Sequence, residues 1–245
     1  MEANLDAEGV STGSMFAHMK LSVLIPVYNE QDTVLEVIGR VQATGLADEI
    51  VVVDDGSKDH TREVLANIDG KGGVRVILHE ANAGKGAALR TAMQSATGDV
   101  LLVQDADLEY DPSEYAGLLA PIEAGKADVV YGSRFLGKSP EGILIQSLLA
   151  NKVLTFMTNV LYRNALTDME TCYKVFRREV LTGIELRANR FDFEPEFTAK
   201  VLKAGHHIFE VPISFNPREY GEGKKIGPWD GVVAVWSLIK YRFVD

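Results

Sequence analysis

Cysteine is almost absent from this chain. The single thiol, Cys172, closes no intrachain disulfide and builds no cysteine zinc site. It reads as a small core residue in a protein made for a reducing compartment. Positive charge is also short, with 25 Lys and Arg against 35 Asp and Glu, a formal net charge of −10. Such a surface repels polynucleotides, so nucleic acid is not expected as a partner. The opening MEANLDAEGVSTGSMFAHM has no apolar run of signal-peptide length; residues 1–19 are expected to be a disordered tail. No clean membrane span occurs either. The best candidate, residues 143–162, is interrupted by Gln146, Asn151, Lys152 and Asn159. Its apolar residues Leu144, Leu148, Val153, Phe156 and Val160 recur at helical spacing, which predicts an amphipathic helix on the core or on a membrane surface. Two nucleotide signatures are missing as well. No G-x-G-x-x-G follows a strand, and the Gly84-Lys85-Gly86 run lacks the Ser or Thr that a P-loop requires.

What is present is a regular alternation. KLSVLIPV, EIVVVDD, VRVILHE, DVLLVQD and ADVVYGSR read as strands, separated by helical patterns at 31–43, 59–68, 85–96 and 112–124. Continuous Val/Ile/Leu strands between helices predict an α/β fold with a mostly parallel central sheet flanked by helices. HHIFEVPISFNPRE is expected to add a strand or hairpin. In WDGVVAVWSLIKYRF, residues Val232, Val235, Trp236, Ile239 and Phe243 share one helical face.

Ligands of such sheets bind beyond the carboxyl ends of the strands. There the chain carries PVYNEQ, DDGSKD, HEANAGKGAA, QDADLEY and GSRFLG. Turn chemistry alone explains any one of these polar loops, but five on one edge predict a site. In QDADLEY, Asp105, Asp107 and Glu109 alternate. If the extended conformation continues they converge on one hard cation, Mg2+ or Mn2+. Lys85 opens a helix pattern and is either solvated or turned to a phosphate. Asp168 and Glu170, in TDMETCYK, precede a helical pattern, so Asp168 is either a helix cap or a group that positions acceptor or sugar.

Together LSVLIPVYNE, IVVVDDGSKD, NAGKGAALRTA, GDVLLVQDADLEYDP, ADVVYGSRF and TDMETCYKVFRREVL resemble the family 2 glycosyltransferases of GT-A fold, most of all the dolichyl- or polyprenyl-phosphate sugar synthases. The likeness covers about residues 20–226, with 227–245 a C-terminal amphipathic helix. It implies that Pro26, Tyr28 and Glu30 line a nucleoside pocket and that Val53 and Asp55 meet base or ribose. Asp105 and Ala106 would sit at the nucleotide, Asp107 and Glu109 on the metal, and Arg134 and Lys224 on the phosphates. The implied reaction is inverting and metal-dependent. It moves one hexose from GDP-mannose or UDP-glucose to polyprenyl phosphate, at the cytoplasmic membrane face, through peripheral contact or a membrane-protein partner. A lipid phosphate is already anionic and needs no general base; a soluble sugar or metabolite hydroxyl would need one, with Asp168 or Glu170 as candidates. A noncatalytic nucleotide-sugar binder is the reading of another class, and the intact carboxylate set argues against it.

Overall fold

In this computed structural model, residues 19–137, 142–217 and 228–244 are described. The strands are β1 (Leu21–Val27), β2 (Glu49–Asp54), β3 (Val74–Leu78), β4 (Val100–Val103), β5 (Val129–Ser133), β6 (Lys174–Arg177) and β7 (Ile208–Pro212). The helices are α1 (Val34–Ala43), α2 (Thr61–Ala66), α3 (Lys85–Ser95), α4 (Tyr115–Glu123), α5 (Ile145–Tyr162), α6 (Phe193–Lys203) and α7 (Pro228–Phe243).

One sheet of seven strands runs in the order β3-β2-β1-β4-β6-β5-β7. β1 pairs in parallel with both β2 and β4, with Leu24 opposite Val51 on one side and Val103 on the other. The β-branched runs of β1, β2 and β4 are fully enclosed because helices cover both faces. α1 shows why: Val34, Val37, Ile38 and Val41 form one buried stripe at helical spacing.

The expected strand–helix alternation holds through β5. It then departs in one respect. The segment after Glu170, expected to be helical, is the strand β6, which runs antiparallel between β4 and β5. Val175 and Phe176 are fully buried there, and β-branched and aromatic residues suit a sheet interior. No helix starts at Asp168, so the capping role falls. Because β6 is antiparallel, the loop before it arrives at the same edge as the carboxyl ends of β4 and β5.

Strand order reverses between β1 and β4, which opens a crevice at that point. α5 and α7 pack side by side through a second small apolar cluster of Leu154, Met169, Ala234 and Leu238. Tyr162 Oη donates to the Leu238 carbonyl (2.7 Å) and Arg242 Nε to that of Leu161 (2.9 Å). Among the described residues no helix is long and apolar enough to cross a membrane.

Candidate active site

The loops after β1 and β2 are knitted to each other. Asn29 N–H donates to Ser57 Oγ (2.9 Å), Lys58 N–H to Asn29 Oδ1 (2.8 Å) and Glu30 N–H to Thr61 Oγ1 (2.9 Å). Thr33 Oγ1 donates to a Glu30 carboxylate oxygen (2.8 Å), and Tyr28 and Pro26 stay half-buried along the same wall. Asp54 takes Arg62 Nε at 2.7 Å. Asp55 accepts from Ala83 N–H (2.9 Å) and Gly84 N–H (2.7 Å), and its carboxylate meets His79 Nδ1 (2.8 Å). Asp55 thus shapes the loop ahead of α3 rather than facing outward. Val53 is fully enclosed between β1 and β3, which takes its side chain away from a base.

The Gly84-Lys85-Gly86 run has a packing explanation. A Cβ on Gly84, whose φ is +105°, would lie 2.2 Å from the Asn189 carbonyl oxygen, and one on Gly86 2.6 Å from that of Ala188. Ala87 N–H donates to the Asn189 carbonyl (3.1 Å), so residues 188–189 sit over the first turn of α3. These glycines admit a crossing backbone. Lys85 does not point to an open phosphate position either. Its ammonium contacts Asp105 at 2.8 Å and Glu194, on the first turn of α6, at 3.1 Å. Burial works against that charge, but the two carboxylates hold its pKa well above the ordinary lysine value.

The three alternating carboxylates do not converge. β4 ends at Val103, and Leu108 has φ +62°, so the extended conformation is lost and with it the common direction of the side chains. Among the described residues no group of three His, Cys, Asp or Glu comes together to hold a metal. Asp105 is turned to Lys85, which outweighs its burial and lowers its pKa. Gln104 fixes its backbone by donating to the Asp105 carbonyl (2.9 Å) while accepting from the hydroxyls of Tyr115 (2.8 Å) and Tyr173 (2.9 Å). Ala106 is buried beside it. Asp107 accepts from the Glu109 N–H (3.2 Å), and both carboxyl-bearing residues are half-buried at the rim. Two hard oxygen donors, Asp107 and Glu109, suit Mg2+ or Mn2+ when a diphosphate supplies further oxygens, while Asp105 is taken by Lys85.

On the other side of the crevice, Arg134 leaves the end of β5. Its Nε and Nη2 donate to the two oxygens of Asp168 at 2.7 and 2.8 Å, a forked pair held further by Asn151 Nδ2 of α5 (2.7 Å). Asp168 itself is fixed because Glu210 of β7 accepts its N–H (3.0 Å) and that of Thr167 (2.8 Å). Burial would raise the Asp168 pKa, but Arg134 and Asn151 win and lower it. Asp168 is therefore a clamp on Arg134, and the role of proton acceptor does not suit it. Arg134 also lies over the rings of Phe215 (5.2 Å) and Phe135 (5.6 Å).

Glu170 is different. Its Oε1 is buried and makes no hydrogen bond among the described residues. Burial first, then the neighbouring Glu194, push its pKa up to about 7 against the pull of Lys174 and Arg134. From the sequence, Lys174, Glu194 and Gln104 have no expected role in the site, and Asn151 stands only as an interruption of an apolar segment. The one available signal was FDFEPEF, where two glutamates flank a proline in an apolar run. Lys174 is fully enclosed, 3.4 Å from Glu194, with its ammonium 4.7 Å from the centre of the Tyr131 ring. Cys172 is buried as expected, its N–H donating to Tyr110 Oη at 3.2 Å. Lys224 lies outside the described residues.

The chain matches the family model described as Glycosyl transferase family 2 over residues 22–184. It is 34% identical over 221 residues to a polyprenol monophosphomannose synthase of Mycolicibacterium smegmatis, covering 84% of this chain and 80% of that one. With a dolichol-phosphate mannosyltransferase of Pyrococcus furiosus it shares 32% identity over 233 residues, 91% of this chain but 65% of that longer relative. Its fold matches a glucosyl-3-phosphoglycerate synthase from Mycobacterium tuberculosis, solved with Mn2+, UDP and phosphoglyceric acid, with a TM-score of 0.71 at 21% identity; 93% of this chain and 80% of that one are covered.

Proposed function

Since the chain belongs to glycosyl transferase family 2 and has the GT-A fold, we propose that it moves one hexose, with inversion, from a nucleotide diphospho-sugar to polyprenyl phosphate. GDP-mannose and UDP-glucose are the donors to try first, with mannose favoured by the names of the two relatives. The donor lies along the β1–β4 crevice. Tyr28 and Glu30 border the nucleoside, and Asp107 and Glu109 reach the diphosphate. These two carboxylates would hold a Mg2+ or Mn2+ that, when bound, offsets charge on the leaving diphosphate. Arg134, kept in place by Asp168, meets the acceptor's phosphate oxygens through its remaining nitrogen. The acceptor oxygen attacks the anomeric carbon opposite the diphosphate, whose bond to carbon breaks and whose oxygen keeps the electron pair.

The observation that carries the lipid acceptor is an apolar face beside this crevice. Ile145, Leu149, Val153, Phe156 and Val160 of α5 are exposed next to Trp229, Val232, Trp236, Ile239 and Phe243 of α7. A cavity of about 350 Å3 between the helices is lined by Leu149, Val153, Leu154 and Val235. Soluble surfaces rarely leave so much contiguous apolar area uncovered. α5 also carries Asn151, which binds Asp168, so the same helix borders the face and the Arg134 clamp. A peripheral enzyme would rest this face on the bilayer that carries its acceptor.

The test is transfer to a short-chain prenyl phosphate in detergent, together with binding to anionic vesicles at low and high salt. Metal-dependent transfer and salt-sensitive binding are expected. Transfer to water-soluble hydroxyl acceptors alone, with no vesicle binding, would replace this reading with the soluble-acceptor one.

A further inference from the structure

We infer that Glu170, carrying a proton, is a hydrogen-bond donor to the acceptor phosphate held by Arg134, so that the acceptor site takes up phosphate and proton together. The inference rests on the lipid-phosphate reading above and adds the group that recognises that anion.

The geometry comes first. Glu170 lies two residues from Asp168 in the loop that β6 brings to the carboxyl edge of the sheet. Its Oε1 is the one carboxylate oxygen of this loop buried without a hydrogen bond among the described residues. A buried polar atom left in this way is unfavourable, a cost that a bound partner would remove. Two cations act on Glu170, Lys174 and Arg134; Arg134 has Nε and Nη2 committed to Asp168. Its Nη1 makes no hydrogen bond among the described residues. A phosphate meeting Nη1 would come within electrostatic reach of Glu170, which already interacts with Arg134.

Charge then decides the protonation state. The groups facing Glu170 are Arg134 after β5, Lys174 on β6, Glu194 on α6, Tyr131 on β5 and Asp168 on its own loop. Two cations stand against the two carboxylates of Asp168 and Glu194, so the cluster is balanced only when Glu170 is neutral. Burial and Glu194 already lift its pKa to about 7. An incoming phosphate adds negative charge and favours the proton further. Ionised, Glu170 would repel the acceptor; protonated, it donates to it.

The experiment measures steady-state transfer to farnesyl phosphate in detergent from pH 6 to 8.5, for wild type, Glu170→Gln and Glu170→Ala. In wild type the KM for farnesyl phosphate should rise about five- to tenfold per pH unit above about 7, as the proton is lost. Glu170→Gln keeps a donor that cannot titrate, so its KM should stay within about twofold across the range. Glu170→Ala should show a high KM at every pH. Thermal unfolding without ligand is the second measurement. The folded chain binds this proton more tightly than the unfolded chain. Wild-type stability should therefore fall as pH rises from about 4.5 to about 7, and Glu170→Gln should show a shallower slope, the remainder coming from Glu114 and Glu210, which burial also raises.

Three results overturn the inference. One is a wild-type kcat that rises with pH and collapses in Glu170→Gln, which makes Glu170 a base. Another is a Glu170→Gln profile, kinetic or thermal, that coincides with wild type. The third is failure of wild type itself to use farnesyl phosphate while it turns over donor, in which case the lipid reading falls too and is recognisable as the cause.

Discussion

The two sides of the crevice handle polar groups in opposite ways. On the side built from residues 21–107, polar loop residues face one another: Asn29 with Ser57 and Lys58, Asp54 with Arg62, Asp55 with His79 and the α3 loop. These bonds tie neighbouring loops to one another, and of their charged members Asp54 and Asp55 are enclosed. On the side built from residues 133–215, fully enclosed charges carry the architecture. Asp168, Lys174 and Glu196 have no exposed surface, and the helices around them, α5 and α7, turn large apolar side chains outward. The first side is a finished wall. The second has charge inside and oil outside, an arrangement that calls for a partner on its surface and exacts a large penalty when one buried charge loses its mate.

That contrast makes Asp168 the place to break. Asp168→Ala leaves the Arg134 guanidinium uncompensated and should lower the unfolding free energy by about 3–5 kcal/mol in urea. Combining Asp168→Leu with Arg134→Met should recover much of that loss, because the uncompensated charge goes with it. No recovery in the double variant would show that the pair is not the source of the cost.

The next effect belongs to the finished wall. Asp107→Ala should lower kcat/KM by about 10²–10³, as loss of one preorganised electrostatic contact does. The melting temperature should move by only a few degrees, since the residue is half-buried at the rim. Wild-type turnover in this variant would remove Asp107 from the diphosphate. The smallest change tests the oily surface. Phe156→Glu and Trp236→Glu alter side chains that are 67% and 62% exposed, so folding should be nearly untouched. Binding to anionic vesicles, followed by sedimentation, should weaken by about tenfold or more for each. Unaltered binding would place the membrane contact elsewhere on the chain.

Residues 21–133 were legible because local pattern and final environment agree there. A Val/Ile run flanked by helices on both faces forms a parallel strand whatever else the chain does, and the polar loops must then gather at one edge. Reading failed first at Asp105, Asp107 and Glu109, since alternation points one way only while the backbone stays extended, and Leu108 ends that. It failed again at TDMETCYKVF, where a short apolar run served a helix or a strand equally well.

Chain order alone therefore determined the parallel sheet, the edge that bears the site, the amphipathic character of α5 and α7 and the family of the protein. Only the tertiary structure decided how the charges are spent. Lys85 and Asp105 lie 20 residues apart, Arg134 and Asp168 34, and Lys85 and Glu194 more than a hundred. No local pattern couples such positions. An antiparallel β6 and an α6 that sets Glu194 over the start of α3 bring them within 3.1 Å, and in a dry interior a charge that close to its opposite is claimed by it before any ligand arrives.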